Sequence, residues 1–247
     1  MSGHVTVVLV VHDETTVCGP TMRAADLAVA AARARGLAVQ EIIALDAPTD
    51  DTSAYFGQSR FDQWERRVTQ TGDIGRVRNA LARETTGSHI AFLGAHDLVS
   101  ENWLAEGVAT LSAALDRGER VIAHPELTVD FDGSGAVQIN IDQSSPLFTS
   151  HYLYFRDYYE APCLAPRAAH LEVPYRSHGV HHVQGQDHRF TIETLAAGWR
   201  HVVVKDTIIF KRHTERAKDK VGESPGPTTG APPGLAIDRV RGLGRQP

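Results

Sequence analysis

Val5-Thr6-Val7-Val8-Leu9-Val10-Val11 runs directly into His12-Asp13-Glu14. Seven successive apolar or β-branched residues are too few for a typical globular helix and lack the alternation of a half-exposed strand. The stretch therefore reads as a β-strand buried on both faces. The same pattern returns at Val39 to Leu45. Between the two lies an alanine-rich segment, Met22 to Arg35, which Gly36 closes as a helix C-cap would. Strand, helix and strand make a βαβ unit. A second round follows, with a short strand at Arg67 to Thr71, a helix over Ile74 to Thr85, and a buried strand from His89 to Leu93 that ends at Gly94. This alternation predicts an α/β fold with a mostly parallel sheet and helices on both faces. Ligands of such sheets bind beyond the carboxyl ends of the strands.

Further along, Ser100 reads as the N-cap of a helix over Trp103 to Leu115, whose apolar residues recur at helical spacing before Gly118. A short strand is expected at Arg120 to Ala123. Leu127 to Phe131 and Ala136 to Ile141 then alternate around Asp132-Gly133-Ser134-Gly135, a hairpin signature that makes the sheet mixed. A helix over Asp187 to Ala197 stops at Gly198, and His201 to Phe210 supplies one or two last strands. Periodicity ends near Lys218. Pro225, Pro227, Pro232 and Pro233 lie in a segment too poor in apolar residues to order itself, so residues 1–217 are expected to form the domain and residues 218–247 a tail.

Composition narrows the function classes. With 247 residues, 42% hydrophobic, the chain can bury one catalytic-sized core. A net charge of −5 disfavours a nucleic-acid partner, which would need clustered basic surface. Cys18 and Cys163 show no disulfide or zinc-ribbon spacing, so reduced thiols of a cytoplasmic protein are expected. The opening carries no basic n-region, and its seven apolar residues fall far short of the ~20 that a membrane span needs.

Polar and acidic residues gather where the strands end: His12-Asp13-Glu14, then Asp46-Ala47-Pro48-Thr49-Asp50-Asp51, then Gly94-Ala95-His96-Asp97. Carboxylates on one sheet edge suit a divalent cation that holds a diphosphate, since hard cations take oxygen ligands. Taken singly, each is an ordinary loop acid.

Gly75-Arg76-Val77-Arg78-Asn79-Ala80, followed by Thr86 to Asp97, resembles the family 2 glycosyltransferase stretch in which an Arg-Asn pair opens a helix and an Asp-x-Asp-type motif follows a strand. Val5 to Glu14 and Glu41 to Asp46 are similar to that family's first two nucleotide-binding strands. The resemblance covers about Val5 to Arg216 and implies the GT-A fold, a mostly parallel mixed sheet flanked by helices. It implies a nucleotide-sugar donor contacted by Val11, His12, Glu14, Asp46, Arg78, Asn79 and His96. Asp97 falls on the metal-binding aspartate, for Mn²⁺ or Mg²⁺. His96 stands where relatives often carry another Asp and would touch the ribose or the metal; its borderline nitrogen suits Mn²⁺ better. Asp46 would read base or ribose, and Arg78 would lie near the donor phosphates or serve as a helix-surface ion-pair partner.

Gln184-Gly185-Gln186-Asp187-His188 resembles the family's Gly-x-Glu-Asp-Trp segment, whose aspartate is the catalytic base. Asp187 keeps that position, while Gln186 and His188 depart from the pattern. Its plain alternative is a helix cap. Phe210-Lys211-Arg212-His213 is similar to a late basic-plus-His segment, which makes His213 a further metal ligand and Lys211 or Arg212 a partner of the leaving phosphates. Tyr152 to Tyr159 offers aromatic platforms for a sugar, and Ala161 to Tyr175 resembles the acceptor side of polysaccharide-building members. The implied activity is inverting transfer to a glycan or lipid-linked acceptor in bacterial cell-envelope synthesis, at the inner face of the membrane. Two other readings remain: a degenerate GT-A domain that binds without turnover, and a metallohydrolase built on His178, His181, His182, Asp187 and His188.

Overall fold

A computed structural model describes residues 4–131, 135–154, 156–159, 163–176 and 185–212. Strands β1 (His4–Val11), β2 (Ala38–Asp46), β3 (Glu65–Thr69) and β4 (His89–Gly94) are mutually parallel in the order β3-β2-β1-β4. Helix α1 (Gly19–Ala34) connects β1 to β2, and α3 (Ile74–Glu84) connects β3 to β4. The chain leaves α1 through Gly36, whose φ of 81° is left-handed.

The seven-residue run is apolar throughout because both faces of β1 are covered. Val5, Val7, Leu9 and Val11 pack into a core with Ala25 and Val29 of α1 and with Leu104 and Val108 of α4 (Trp103–Asp116). Val8 and Val10 face the opposite core, which holds Val77 and Leu81 of α3. This is a three-layer arrangement, with strands too buried to alternate.

Past β4 the sheet becomes mixed, as the hairpin signature implied. Its remaining strands are β5 (Asp97–Val99), β6 (Val121–Phe131), β7 (Val137–Ile139), β8 (Leu164–Pro166) and β9 (Arg200–Arg212), and the full order is β3-β2-β1-β4-β8-β6-β9-β5 with β7 against β6. Here the expectations needed revision. The two strands expected around His124-Pro125-Glu126 are one, because a register shift between Pro125 and Leu127 accommodates the proline within the ladder to β9. On the β9 side Asp206 turns left-handed, at φ 59°, and its N–H donates to Glu126 Oε2 at 2.7 Å.

Ser100 caps nothing. Asn102 precedes α4 without a side-chain cap bond, and Ser100 Oγ accepts from Ile208 N at 3.1 Å, tying β5 to β9. The acids Asp50 and Asp51 belong to a helix absent from the sequence reading, α2 (Asp50–Phe56), where Thr49 Oγ1 accepts from Thr52 N at 3.2 Å. Acids in a first helical turn complement its dipole. Two further helices cover the other face, α5 (Arg167–Glu172) and α6 (Gln186–Ala196). Among the described residues, no helix is long and apolar enough to cross a membrane.

Candidate active site

The carboxyl ends of β1, β2 and β4 meet at one edge, where the strand order reverses between β1 and β4. Val11 is fully buried in the core, which leaves only its main chain to face a ligand. His12 Nδ1 donates to the Asp46 carbonyl at 3.0 Å, and the His12 N–H donates to Glu14 Oε2 at 2.8 Å. On the other side of Glu14, His96 Nε2 lies 3.5 Å from Oε1, while His96 Nδ1 is buried with no partner. Burial acts to raise the Glu14 pKa, but the His96 contact and the main-chain N–H groups outweigh it and hold the carboxyl down at about 2. Thr21 Oγ1 donates to the Ala95 carbonyl at 2.9 Å and pins this loop to α1.

Asp46 is 0% exposed and fully engaged. Its Oδ1 accepts from Thr69 Oγ1 and Thr71 N, both at 2.7 Å, and Thr71 Oγ1 reaches both carboxylate oxygens at 3.1 Å. Burial alone would raise its pKa, yet the threonine donors prevail and lower it. The carboxylate is thus committed to the β2–β3 edge, and its ribose or base role would have to share these bonds.

Asp97 is as deeply set but less well supplied. It is 8% exposed, and Oδ2 accepts from Gly94 N at 2.8 Å. A Cβ at Gly94 would come within 3.0 Å of Oδ2, so any side chain there would require the carboxylate to shift. Burial raises the Asp97 pKa despite the opposing charge of Lys211, which sits directly across the β5–β9 pair. A buried carboxylate whose anion is disfavoured would gain from a cation, and oxygen is the right donor for Mg²⁺ or Mn²⁺. In this sense the residue fits the implied metal. Among the described residues, no three His, Cys, Asp or Glu side chains cluster as a ligand set. His213 lies outside the described residues, as do His178, His181 and His182. His188 is a largely buried histidine whose pKa burial lowers to about 4.

The second half of the site is built by α3 and α6, 109 positions apart in sequence. Arg78, 6% exposed, forms an ion pair with Asp187, whose carboxylate is 50% exposed in the first turn of α6. The N-cap position is Gly185, and Asp187 sits in the first turn of α6, where a carboxylate also complements the helix dipole. The Arg78 guanidinium also lies 4.9 Å from the Tyr175 ring centroid. Asn79 braces this wall from behind, because its amide donates to the Tyr175 carbonyl at 2.6 Å and its Oδ1 accepts from Tyr175 N at 2.8 Å. Both ends of Asn79 are therefore occupied by main chain.

Arg78, Phe92, His124, Tyr159, Tyr175 and Asp187 line a narrow cleft. Sequence reasoning missed His124, which lies on β6 far from any recognised motif. Of the aromatic segment, Tyr158 and Tyr159 are buried in a small core with Leu153, Ile192 and Leu195; Phe155 and Pro162 lie outside the described residues. Cys163 also borders the cleft, and burial pushes its thiol up to about 12. Both cysteines are free thiols. Arg212 lies over the Phe131 ring at 5.1 Å.

Three solved structures share this architecture. The mannosyltransferase PcManGT from Pyrobaculum calidifontis, in complex with GDP-Man and Mn²⁺, superposes with a TM-score of 0.65 at 12% identity, over 99% of this chain and 70% of that one. The chain has the GT-A glycosyltransferase fold. Similarity to S. aureus TarS 1-349 in complex with UDP-GlcNAc gives a TM-score of 0.63 at 14% identity over 88% of this chain. GalNAc-T7 with UDP, GalNAc and Mn²⁺ gives 0.58 at 15% identity, over 91% of this chain and 46% of that one. The chain spans 61% of the TarS 1-349 chain it matches. No family model and no curated protein matches the sequence.

Proposed function

We propose that this chain is an inverting glycosyltransferase of the family 2 type, which moves a sugar from a nucleotide-diphosphate donor to a hydroxyl of a glycan or lipid-linked acceptor. The observation that carries this reading is the position of Asp187. Its half-exposed carboxylate is anchored by the buried Arg78 at an aromatic-lined cleft within a GT-A sheet. UDP-GlcNAc in TarS and GDP-Man in PcManGT support a nucleotide-sugar donor.

In the proposed reaction Asp187 takes the proton from the acceptor hydroxyl as that oxygen forms its bond to the anomeric carbon, and the nucleoside diphosphate leaves from the opposite face. Arg78 orients the carboxylate. Glu14, His12 and His96 border the donor crevice, where His96 Nε2 lies 3.5 Å from Glu14 Oε1. Asp97, with His213 beyond the described residues, would hold Mn²⁺ or Mg²⁺. When bound, that cation supplies charge stabilisation to the departing diphosphate. Localisation at the inner membrane face and a bacterial cell-envelope product belong to the same proposal.

One observation favours the degenerate reading: the proposed base is engaged by an arginine. A single assay separates the two. Nucleotide sugars are incubated with the protein and a glycan acceptor panel, with and without Mn²⁺. Release of nucleoside diphosphate that depends on acceptor supports the transferase, and Asp187→Asn should reduce it by at least about 100-fold while nucleoside diphosphate binding survives. Tight binding without turnover across the panel would establish the degenerate domain instead.

A further inference from the structure

Leu127-Thr128-Val129 on β6 and Ile208-Ile209-Phe210 on β9 are apolar or β-branched at successive positions, the pattern of strands covered on both faces. One face is covered, since Thr128 is 2% and Ile209 0% exposed. The other is not. Cross-strand pairing sets Val137, Val129, Phe210 and Leu98 in one row across β7, β6, β9 and β5, and Ile139, Leu127 and Ile208 in the next. Val137 is 60%, Ile139 66% and Phe210 37% exposed. Contiguous apolar surface of this kind marks a place where something docks. Alternation along β5 and β9 puts Asp97 and Lys211 on the opposite side, so this face lies behind the candidate active site.

The position of the chain end indicates what covers it. Arg212, the last residue of β9, pairs with Phe131 on this same face and lies over that ring at 5.1 Å. Residues 213–247 follow, and their apolar side chains concentrate in Leu235-Ala236-Ile237, Val240 and Leu243, beyond the proline-rich stretch. A segment too poor in apolar residues to order by itself can order against a prepared apolar face. The connecting residues 213–234, taken as a coil, span about 25 Å, more than the roughly 15 Å that separates β7 from β5 across the face. Attachment at Arg212 gives the segment an effective concentration on the order of mM, which favours it over a second copy or a lipid surface.

We propose that residues 235–243 fold back onto this face and cover it, on the side of the sheet away from Asp97. The proposal stands independently of the transferase reading.

The test introduces a photo-cross-linker on the exposed edge strand of the full chain, Val137→p-benzoylphenylalanine. A mixture of ¹⁴N and ¹⁵N protein is irradiated with and without phosphatidylglycerol vesicles, and the products are read by mass spectrometry. Cross-links from Val137 to residues 235–243 of the same isotopic chain are expected. As an independent measurement, Ile237→Asp combined with Val240→Asp leaves the sheet untouched and should lower the Tm of the full chain by on the order of 4 °C. In an Ile139→Asp background the same pair should cost much less, because the two sites act through one contact. Cross-links joining unlike isotopes would assign the face to a second copy, and lipid adducts in place of the intrachain link would assign it to a membrane. Either outcome, no cross-link at all, or an unchanged Tm in the tail variant overturns the proposal.

Discussion

Asp46 and Asp97 are the same residue type, buried at the same edge of the sheet, yet their surroundings treat them oppositely. At the exit of β2, Thr69 and Thr71 surround Asp46 with donors and lower its pKa. At the turn between β4 and β5, Asp97 keeps the Gly94 N–H and the more distant charge of Lys211, and burial raises its pKa. Position at a strand end thus does not define a ligand. What distinguishes a stapling carboxylate from one suited to a cation is whether the fold has already satisfied it.

The sharpest way to break this comparison is Asp97→Asn, which keeps an oxygen for Gly94 N–H and removes the charge. Mn²⁺-dependent binding of nucleoside diphosphate should weaken by on the order of 100-fold in calorimetry. Without metal, the variant should melt no lower than the parent at neutral pH. The sign follows from the raised pKa: ionising Asp97 in the folded state costs stability as pH climbs through that value. A lowered melting temperature would show that the carboxylate is structural, like Asp46.

Asp46→Ala should do the reverse, with a stability loss of about 2 kcal/mol by denaturant unfolding, because Thr69 and Thr71 lose their acceptor. Nucleoside diphosphate affinity of the folded fraction should fall far less than in Asp97→Asn. Equal losses in affinity would make Asp46 a direct donor contact.

The smallest effect is expected at Glu14, between the two. Its carboxyl is held at about 2 against an ordinary 4.5, so the stability it contributes is complete above pH 4.5 and disappears as pH falls toward 2. Glu14→Gln should flatten the acid limb of a melting-temperature profile in that window and leave the profile above pH 6 parallel to the parent's. An unchanged acid limb would mean that His96 and the His12 N–H do not hold the anion.

The parallel half of the fold was legible because its signals are local. Val5 to Val11 and His89 to Leu93 are uninterrupted apolar runs, and Gly36 and Gly198 end their helices at left-handed φ values of 81° and 84°. The antiparallel half was harder to read. β8 is three residues long and becomes a strand only because β4 and β6 pair with it on either side. α2 went unread because Asp50 to Ser53 are polar, and its cap by Thr49 Oγ1 is seen only in the fold. Asp97 and Asp187 drew attention through their motifs, whereas His124, next to a proline between two expected strands, did not.

By itself the sequence determined which segments must be buried, where they end, and which acids stand at those ends, because burial on two faces and chain reversal are imposed within a few residues. Only the tertiary structure decided what each polar group meets. Arg78 reaches Asp187 across 109 positions and His124 reaches His201 across 77. Whether a buried carboxylate is satisfied or left short depends on donors brought from distant strands, and no local pattern records them.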